Sequence, residues 1–175
     1  MRIAINGFGR IGRSVFRILD QKKDMKVVAI NDLSNQESLA YLLKYDTVMG
    51  KFSGNVNIKD NIMNTDNDSI QMLSERDPAN LPWKDLNIDV VIEATGVFTK
   101  RSLLDNHLKA GAKKVLLTVP AKDEIDNTIV LGVNEDTLKL DHRIVSNASC
   151  TTNCLAPMAK ILDEAFGIKQ GVMNT

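Results

Sequence analysis

The sequence predicts an α/β protein with a doubly wound, mostly parallel sheet and one antiparallel excursion. Three observations carry that prediction. Short runs of Val, Ile and Leu alternate with segments of helical apolar spacing. A glycine-rich turn joins the first run to the first helical segment. A polar stretch rich in Asn and Asp, Phe52 to Leu73, interrupts the alternation.

Taken in order, Ile3–Ile5, Val27–Ile30, Val90–Ile92, Val115–Val119 and Ile144–Val145 are nearly continuous aliphatic runs, as parallel strands buried on both faces require. Between the first two, apolar residues at 11, 15, 18 and 19 predict a helix from Ile11 to Leu19. Gln36 to Leu43 and Leu103 to Ala110 show similar spacing. Within the polar stretch, Val56–Ile58 and Ile70–Leu73 read as short antiparallel pieces, followed by the turn-rich DPANLPW (77–83). Cys150 to Phe166 reads as one helix with Leu155, Met158, Ala159, Leu162 and Phe166 on one face. Pro157 lies inside it and Gly167 is its expected C-cap. Ile168 to Thr175 is expected to begin a strand. The division expected is a dinucleotide-binding domain over 1–148 and the start of a second domain over 149–175.

Composition narrows the function. Lys+Arg and Asp+Glu are 22 each, so no charge surplus points to nucleic acid or an anionic membrane surface. A hydrophobic share of 43% is ample for a packed core. No apolar run approaches the ~20 residues of a membrane span, and no signal-peptide pattern opens the chain. With two cysteines only, a cytoplasmic setting is the expectation. No cluster of His and Cys has metal-site spacing.

Residues 7 to 12 read GFGRIG, a G-x-G-x-x-G turn between strand and helix. Asp32 ends the next strand, about twenty residues on, which completes a Rossmann-type dinucleotide fingerprint. In that reading Gly7 permits the tight turn, Gly9 admits a pyrophosphate and Gly12 lets the helix pack against the strand. Arg10 and Ile11 run along the pyrophosphate at the positive end of the helix. Asp32 accepts from ribose hydroxyls and repels a 2′-phosphate, which favours NAD over NADP. An N-cap role for Asp32 is the competing structural reading. Two further strand ends, EATGVFT (93–99) and LLTVPAK (116–122), place Thr95, Gly96, Phe98 and Thr118 as candidate cofactor neighbours.

Cys150 sits among Ser149, Thr151 and Thr152 at a helix N-terminus, where free N–H groups suit a thiolate and an oxyanion. It is the candidate nucleophile. Cys154 reads as packing. The helix terminus supplies ~0.3–1 kcal/mol to an anion but no proton shuttle, and that task usually falls to His. The chain has His107, within a helical stretch, and His142, in a polar turn. Both read as ordinary surface residues.

INGFGRIGR, AIND, LLKYDT, SERDP, EATGVF and SNASCTTNCLAP together resemble the glyceraldehyde-3-phosphate dehydrogenase family over the whole chain. The resemblance implies oxidation of glyceraldehyde 3-phosphate with NAD and inorganic phosphate, through a thioester on Cys150. It implies NAD contacts from Arg10, Ile11, Asp32, Arg76 and Thr118, and substrate contacts from Ser149 and Thr151. It implies a homotetramer for the full-length enzyme. Members of the family continue beyond a segment like GVMNT into the histidine that activates the cysteine. The expectation is therefore an N-terminal portion, with a truncated catalytic domain and no phosphorylating activity of its own. Two other readings stay open: an erythrose-4-phosphate dehydrogenase, which shares the cysteine motif, and a stand-alone NAD-binding or thiol-sensing module.

Overall fold

A computed structural model describes residues 1–175. Nine strands form a single sheet in the order β3-β4-β5-β2-β1-β6-β7-β9-β8. In chain order the elements are β1 (Arg2–Asn6), α1 (Arg10–Leu19), β2 (Lys26–Asn31), α2 (Gln36–Lys44), β3 (Val56–Lys59), β4 (Ile62–Thr65), β5 (Ser69–Leu73), β6 (Val90–Glu93), α3 (Arg101–Lys109), β7 (Lys114–Leu117), β8 (Asn127–Thr128), β9 (Ile144–Ser146) and α4 (Cys150–Phe166). β1 lies at the centre, parallel to β2 on one side and β6 on the other. β5 joins β2 in parallel, while β4 runs antiparallel to both of its neighbours, β3 and β5. β7, β9 and β8 extend the other side in parallel. The chain thus winds outward in both directions from β1, and the crevice between the ends of β1 and β6 is the switch point where such sheets bind ligands.

The alternation of β1 explains the two-layer core. Ile3 and Ile5 pack with Phe8, Phe16, Leu39, Leu43, Phe52 and Met63 on one face. Ala4 packs with Ala29, Trp83, Ile88 and Val91 on the other. Small side chains at Ala4 and Ala29 leave room for the fully buried Trp83 indole. A smaller cluster of Leu104, Val115, Leu117 and Ile144 seats α3 on the far strands.

Several expectations are corrected. On α1, Gly12, Phe16 and Arg17 are buried and Val15 and Leu19 pack partly against the core as expected, whereas Ile11 and Ile18 are half or more exposed, at 50% and 57%. The cause is Gly12. A Cβ there would lie 2.1 Å from the Gly7 carbonyl oxygen, so the helix presses this edge against the turn and rotates the neighbouring Ile outward. β4 and the two-residue β8 are additional strands. Residues 168–175 form no strand. Cys154 is exposed, not packed. His107 is wholly buried rather than a surface residue, and His142 is half-buried, with Nδ1 accepting from the Lys139 amide at 3.3 Å.

α4 is one continuous helix through Pro157. Ser149 is its N-cap, accepting from the Thr152 amide, and Gly167 closes it at φ 71° with its N–H donating to the Asp163 carbonyl. No helix is long and apolar enough to cross a membrane.

Candidate functional site: a dinucleotide crevice and an exposed cysteine

The turn after β1 builds the crevice. Gly7 takes φ +90°, and a Cβ on it would meet the Thr95 amide nitrogen at 2.7 Å. Only glycine allows the first turn to lie this close to the turn after β6. Gly9 is the N-cap of α1, and a Cβ on it would meet nothing within 4 Å. It faces open space at the end of the helix. No side chain caps α1 and no acidic residue occupies its first turn. The amides of Arg10, Ile11 and Gly12 therefore keep their donors free at the positive end of the helix.

Asp32, just past β2, is half-buried and tied to the turn. Its Oδ2 accepts from the Phe8 amide at 2.7 Å and its Oδ1 from the Ser34 amide at 2.9 Å. A carboxylate has about four lone-pair sites, so capacity remains for hydroxyl donors. The N-cap of α2 is Asn35, not Asp32.

A cavity of about 340 Å³ opens here, walled by Gly7, Gly9, Asp32, Leu33, Arg76, Thr95 and Phe98, with Asn6, Asn31, Glu75, Ala94 and Val97. Six of the sequence candidates thus meet in one place: Gly7, Gly9, Asp32, Arg76, Thr95 and Phe98. Arg10 and Ile11 are exposed on the first turn of α1 and do not line the cavity. Gly12 lies beneath it as a packing residue. Gly96 is exposed at φ +72°. Thr118 sits at the end of β7, with its hydroxyl donating to the Glu93 carbonyl at 3.1 Å. Asn6, Asn31 and Glu75 were not legible as site residues; their common signal is position, at or just beyond the carboxyl ends of β1, β2 and β5.

The crevice fits a dinucleotide: an open glycine at a helix N-terminus for the pyrophosphate, and a carboxylate with spare acceptors for a ribose. Arg76 is the only cationic residue in the cavity wall.

Cys150 is the first residue of α4 and is exposed. The Ser149 hydroxyl lies 3.2 Å from that of Thr151 and 2.7 Å from that of Thr152. Asn153 Nδ2 donates to the carbonyls of Asn147 and Ser149 at 2.7 and 2.9 Å, which pins the loop before the cysteine. Ala148, two residues ahead, takes φ 63°. Cys150 does not line the crevice, and neither histidine bonds to it. No cluster of three or more His, Cys, Asp or Glu is placed to hold a metal.

Comparison with known proteins agrees with this geometry. The family model described as "Glyceraldehyde 3-phosphate dehydrogenase, NAD binding domain" matches residues 1–101, and the corresponding C-terminal domain model matches residues 149–175. Glyceraldehyde-3-phosphate dehydrogenase of Streptomyces coelicolor is 52% identical over 177 residues, covering 100% of this chain and 52% of that protein. The Thermotoga maritima enzyme is 55% identical, covering 99% of this chain and 53% of its own length. The Borreliella burgdorferi enzyme is 56% identical, covering 100% and 53%. The chain spans about half the length of the curated relatives it matches. Its cofactor is NAD, and the chain belongs to the glyceraldehyde-3-phosphate dehydrogenase family.

Proposed function

We propose that this chain is the NAD-binding part, with the nucleophile, of an enzyme that oxidises glyceraldehyde 3-phosphate and captures the product with inorganic phosphate. The observation that supports it most is Cys150: an exposed thiol opening a capped helix, in a chain whose other end carries a dinucleotide crevice. The aldehyde comes from the name the relatives share, and inorganic phosphate from the family resemblance.

In this reading Cys150 Sγ, as thiolate, attacks the aldehyde carbon. A C–S bond forms and the carbonyl electrons move to oxygen, which free N–H groups at the start of α4 would stabilise. NAD, when bound, supplies the acceptor for the two electrons and the hydrogen that leave that carbon. The thioester on Cys150 is then attacked by a phosphate oxygen; the C–S bond breaks and the thiolate is restored. Ser149 and Thr151, on either side of Cys150 in the chain, would supply hydroxyls to the substrate and phosphate oxygens. Gly7, Gly9, Arg10, Ile11 and Gly12 form the pyrophosphate turn. Asp32 and Arg76 flank the adenosine end, and Thr95, Gly96 and Thr118 border the crevice from β6 and β7. Residues 1–148 are the cofactor domain and 149–175 the start of the catalytic one, within a tetrameric, cytoplasmic full-length enzyme.

Neither histidine reaches Cys150, so this chain should bind NAD without turning over the aldehyde. The test combines calorimetric titration with NAD and NADP, an assay with glyceraldehyde 3-phosphate, NAD and phosphate, and timed alkylation of the two thiols. Saturable binding of NAD alone, no turnover, and faster labelling of Cys150 than of Cys154 are expected. Equal labelling rates, or no binding of either dinucleotide, would overturn the reading.

A further inference from the structure

Beneath the crevice runs a buried polar chain that the roles above do not use. Glu93, the last residue of β6, and His107 of α3 are both fully buried. Four donors converge on the Glu93 carboxylate. Oε2 accepts from Asn6 Nδ2 at 2.6 Å and lies 2.9 Å from His107 Nε2. Oε1 accepts from the Thr95 amide at 2.9 Å and from the Thr95 hydroxyl.

The direction of each bond is set from outside. Trp83 Nε1 can only donate, and it points at His107 Nδ1 from 3.0 Å. Nδ1 is therefore the acceptor nitrogen, Nε2 carries the proton, and the imidazole is neutral. Asn31 Nδ2 donates to Asn6 Oδ1 at 2.7 Å, leaving Asn6 only its amide hydrogens to offer Glu93. Asn31 is itself clamped by Glu75, donating to its carbonyl and accepting from its amide, both at 2.8 Å. The Thr95 hydroxyl accepts from the Val97 amide at 3.1 Å and donates its own hydrogen to Glu93 Oε1. Donors thus face both oxygens of the Glu93 carboxyl, and no lysine or arginine pairs with it.

A buried carboxylate without a countercharge is costly to fold around. This one stands where its partners are the crevice itself: Asn6, Asn31, Glu75 and Thr95 all line the cavity. We propose that Glu93 is the positioning residue of the cofactor site. Its carboxyl group fixes the amide of Asn6, through Asn6 that of Asn31, and the turn at Thr95. His107 and Trp83 hold it from the α3 side. The proposal rests on the NAD reading of the crevice. An isosteric amide cannot take this place, because the NH₂ of Glu93→Gln would face donors on either side.

The test is NMR of the ¹⁵N-labelled chain titrated with NAD, together with the NAD dissociation constant of wild type and Glu93→Gln. His107 should show the Nε2–H tautomer. Its ring nitrogens should shift as NAD saturates, although His107 does not itself line the cavity; its ring also meets Phe98 of the cavity wall edge-on at 6.5 Å, so the loss of that response in Glu93→Gln is what separates coupling through Glu93 from coupling through Phe98. Glu93→Gln should raise the NAD dissociation constant by on the order of tenfold and uncouple His107 from NAD. An Nδ1–H or doubly protonated ring, a His107 unresponsive to NAD, or a folded Glu93→Gln variant with wild-type affinity would each overturn the proposal. If Glu93→Gln fails to fold, the wild-type His107 signals decide. If wild type binds no NAD, the cofactor reading fails separately. The hub then stands on the Nε2–H tautomer and on loss of ordered Asn6 and Thr95 signals in Glu93→Gln, and falls without either.

Discussion

Around the crevice polar side chains are buried and satisfied, whereas along α4 apolar side chains stand exposed. Asn6, Asn31, Glu93 and His107 lie at 5% exposure or less and each has hydrogen-bond partners. α4 has no buried residue among its 17, and Leu155, Met158, Leu162 and Phe166 are 41–84% exposed. What holds α4 is local or peripheral: the Ser149 cap, the Gly167 C-cap, and Lys160 Nζ donating to the Gly132 and Val133 carbonyls at 3.2 Å. Most helical stability in proteins comes from packing an amphipathic face. Stability therefore resides in the sheet and its first three helices, while α4 contributes chemistry at its N-terminus and little to the fold.

The sharpest way to break that contrast is to cut into the sheet's own packing. Phe16 is 1% exposed and lies between Phe8 and Phe52, with ring centroids 5.8 and 6.3 Å away. Phe16→Ala should cost ~3–5 kcal/mol, visible as a lower urea midpoint, and should weaken NAD binding by loosening α1 beneath the glycine turn. A loss under ~1 kcal/mol would mean that the core does not rest on this aromatic trio.

How far residues announced this organisation depends on the range of the contacts involved. The central strands were legible because Ile3–Ile5, Val27–Ile30 and Val90–Ile92 are aliphatic on both faces, a local signature of a parallel sheet. The glycine turn was legible for the same reason. Its spacing is a local motif, although what Gly7 makes room for, the turn at Thr95, lies far along the chain. The α1 stripe was misread because hydrophobicity alone favoured Ile11 and Ile18, whereas the rotation of the helix is set by Gly12 meeting Gly7, where the absence of a side chain is the signal. His107 was misread because its partners, Trp83 and Glu93, are 24 and 14 residues away, and nothing near SLLDNHLKAG reports them. The strand expected after Gly167 is absent: residues 168–175 are all exposed and join no strand of the sheet.

Acid offers a second probe, since the carboxylates with lowered pKa all lie before α4. Burial pushes the Asp126 carboxyl up, but the Ile144 and Arg143 amides and the Arg101 guanidinium outweigh it and hold it below the ordinary range. The side chain thereby ties β9 to the start of α3. Its pKa is lower in the folded than in the unfolded state, so its contribution is complete above the unfolded value of about 3.9. That contribution is lost as pH falls through the folded value. Asp46, Asp66 and Asp89 are shifted in the same direction. Asp126→Asn should cost about 1–3 kcal/mol at pH 7, and the difference from wild type should shrink below about pH 4 as the native carboxyl protonates. A difference that stays constant with pH would show that shape, not charge, is what Asp126 supplies.

The smallest expected effect comes from α4. Phe166 is 84% exposed at the last turn of the helix. Removing it takes away almost no buried area, so Phe166→Ala should change unfolding free energy by no more than ~0.5 kcal/mol. The same substitution removes the most exposed aromatic from a face that also carries Met158 and Leu162, and should reduce concentration-dependent light scattering. The two readouts move apart only if the face is open in solution. A loss above ~1 kcal/mol, with scattering unchanged, would mean that α4 docks on its own sheet, and the contrast between the two regions would then vanish.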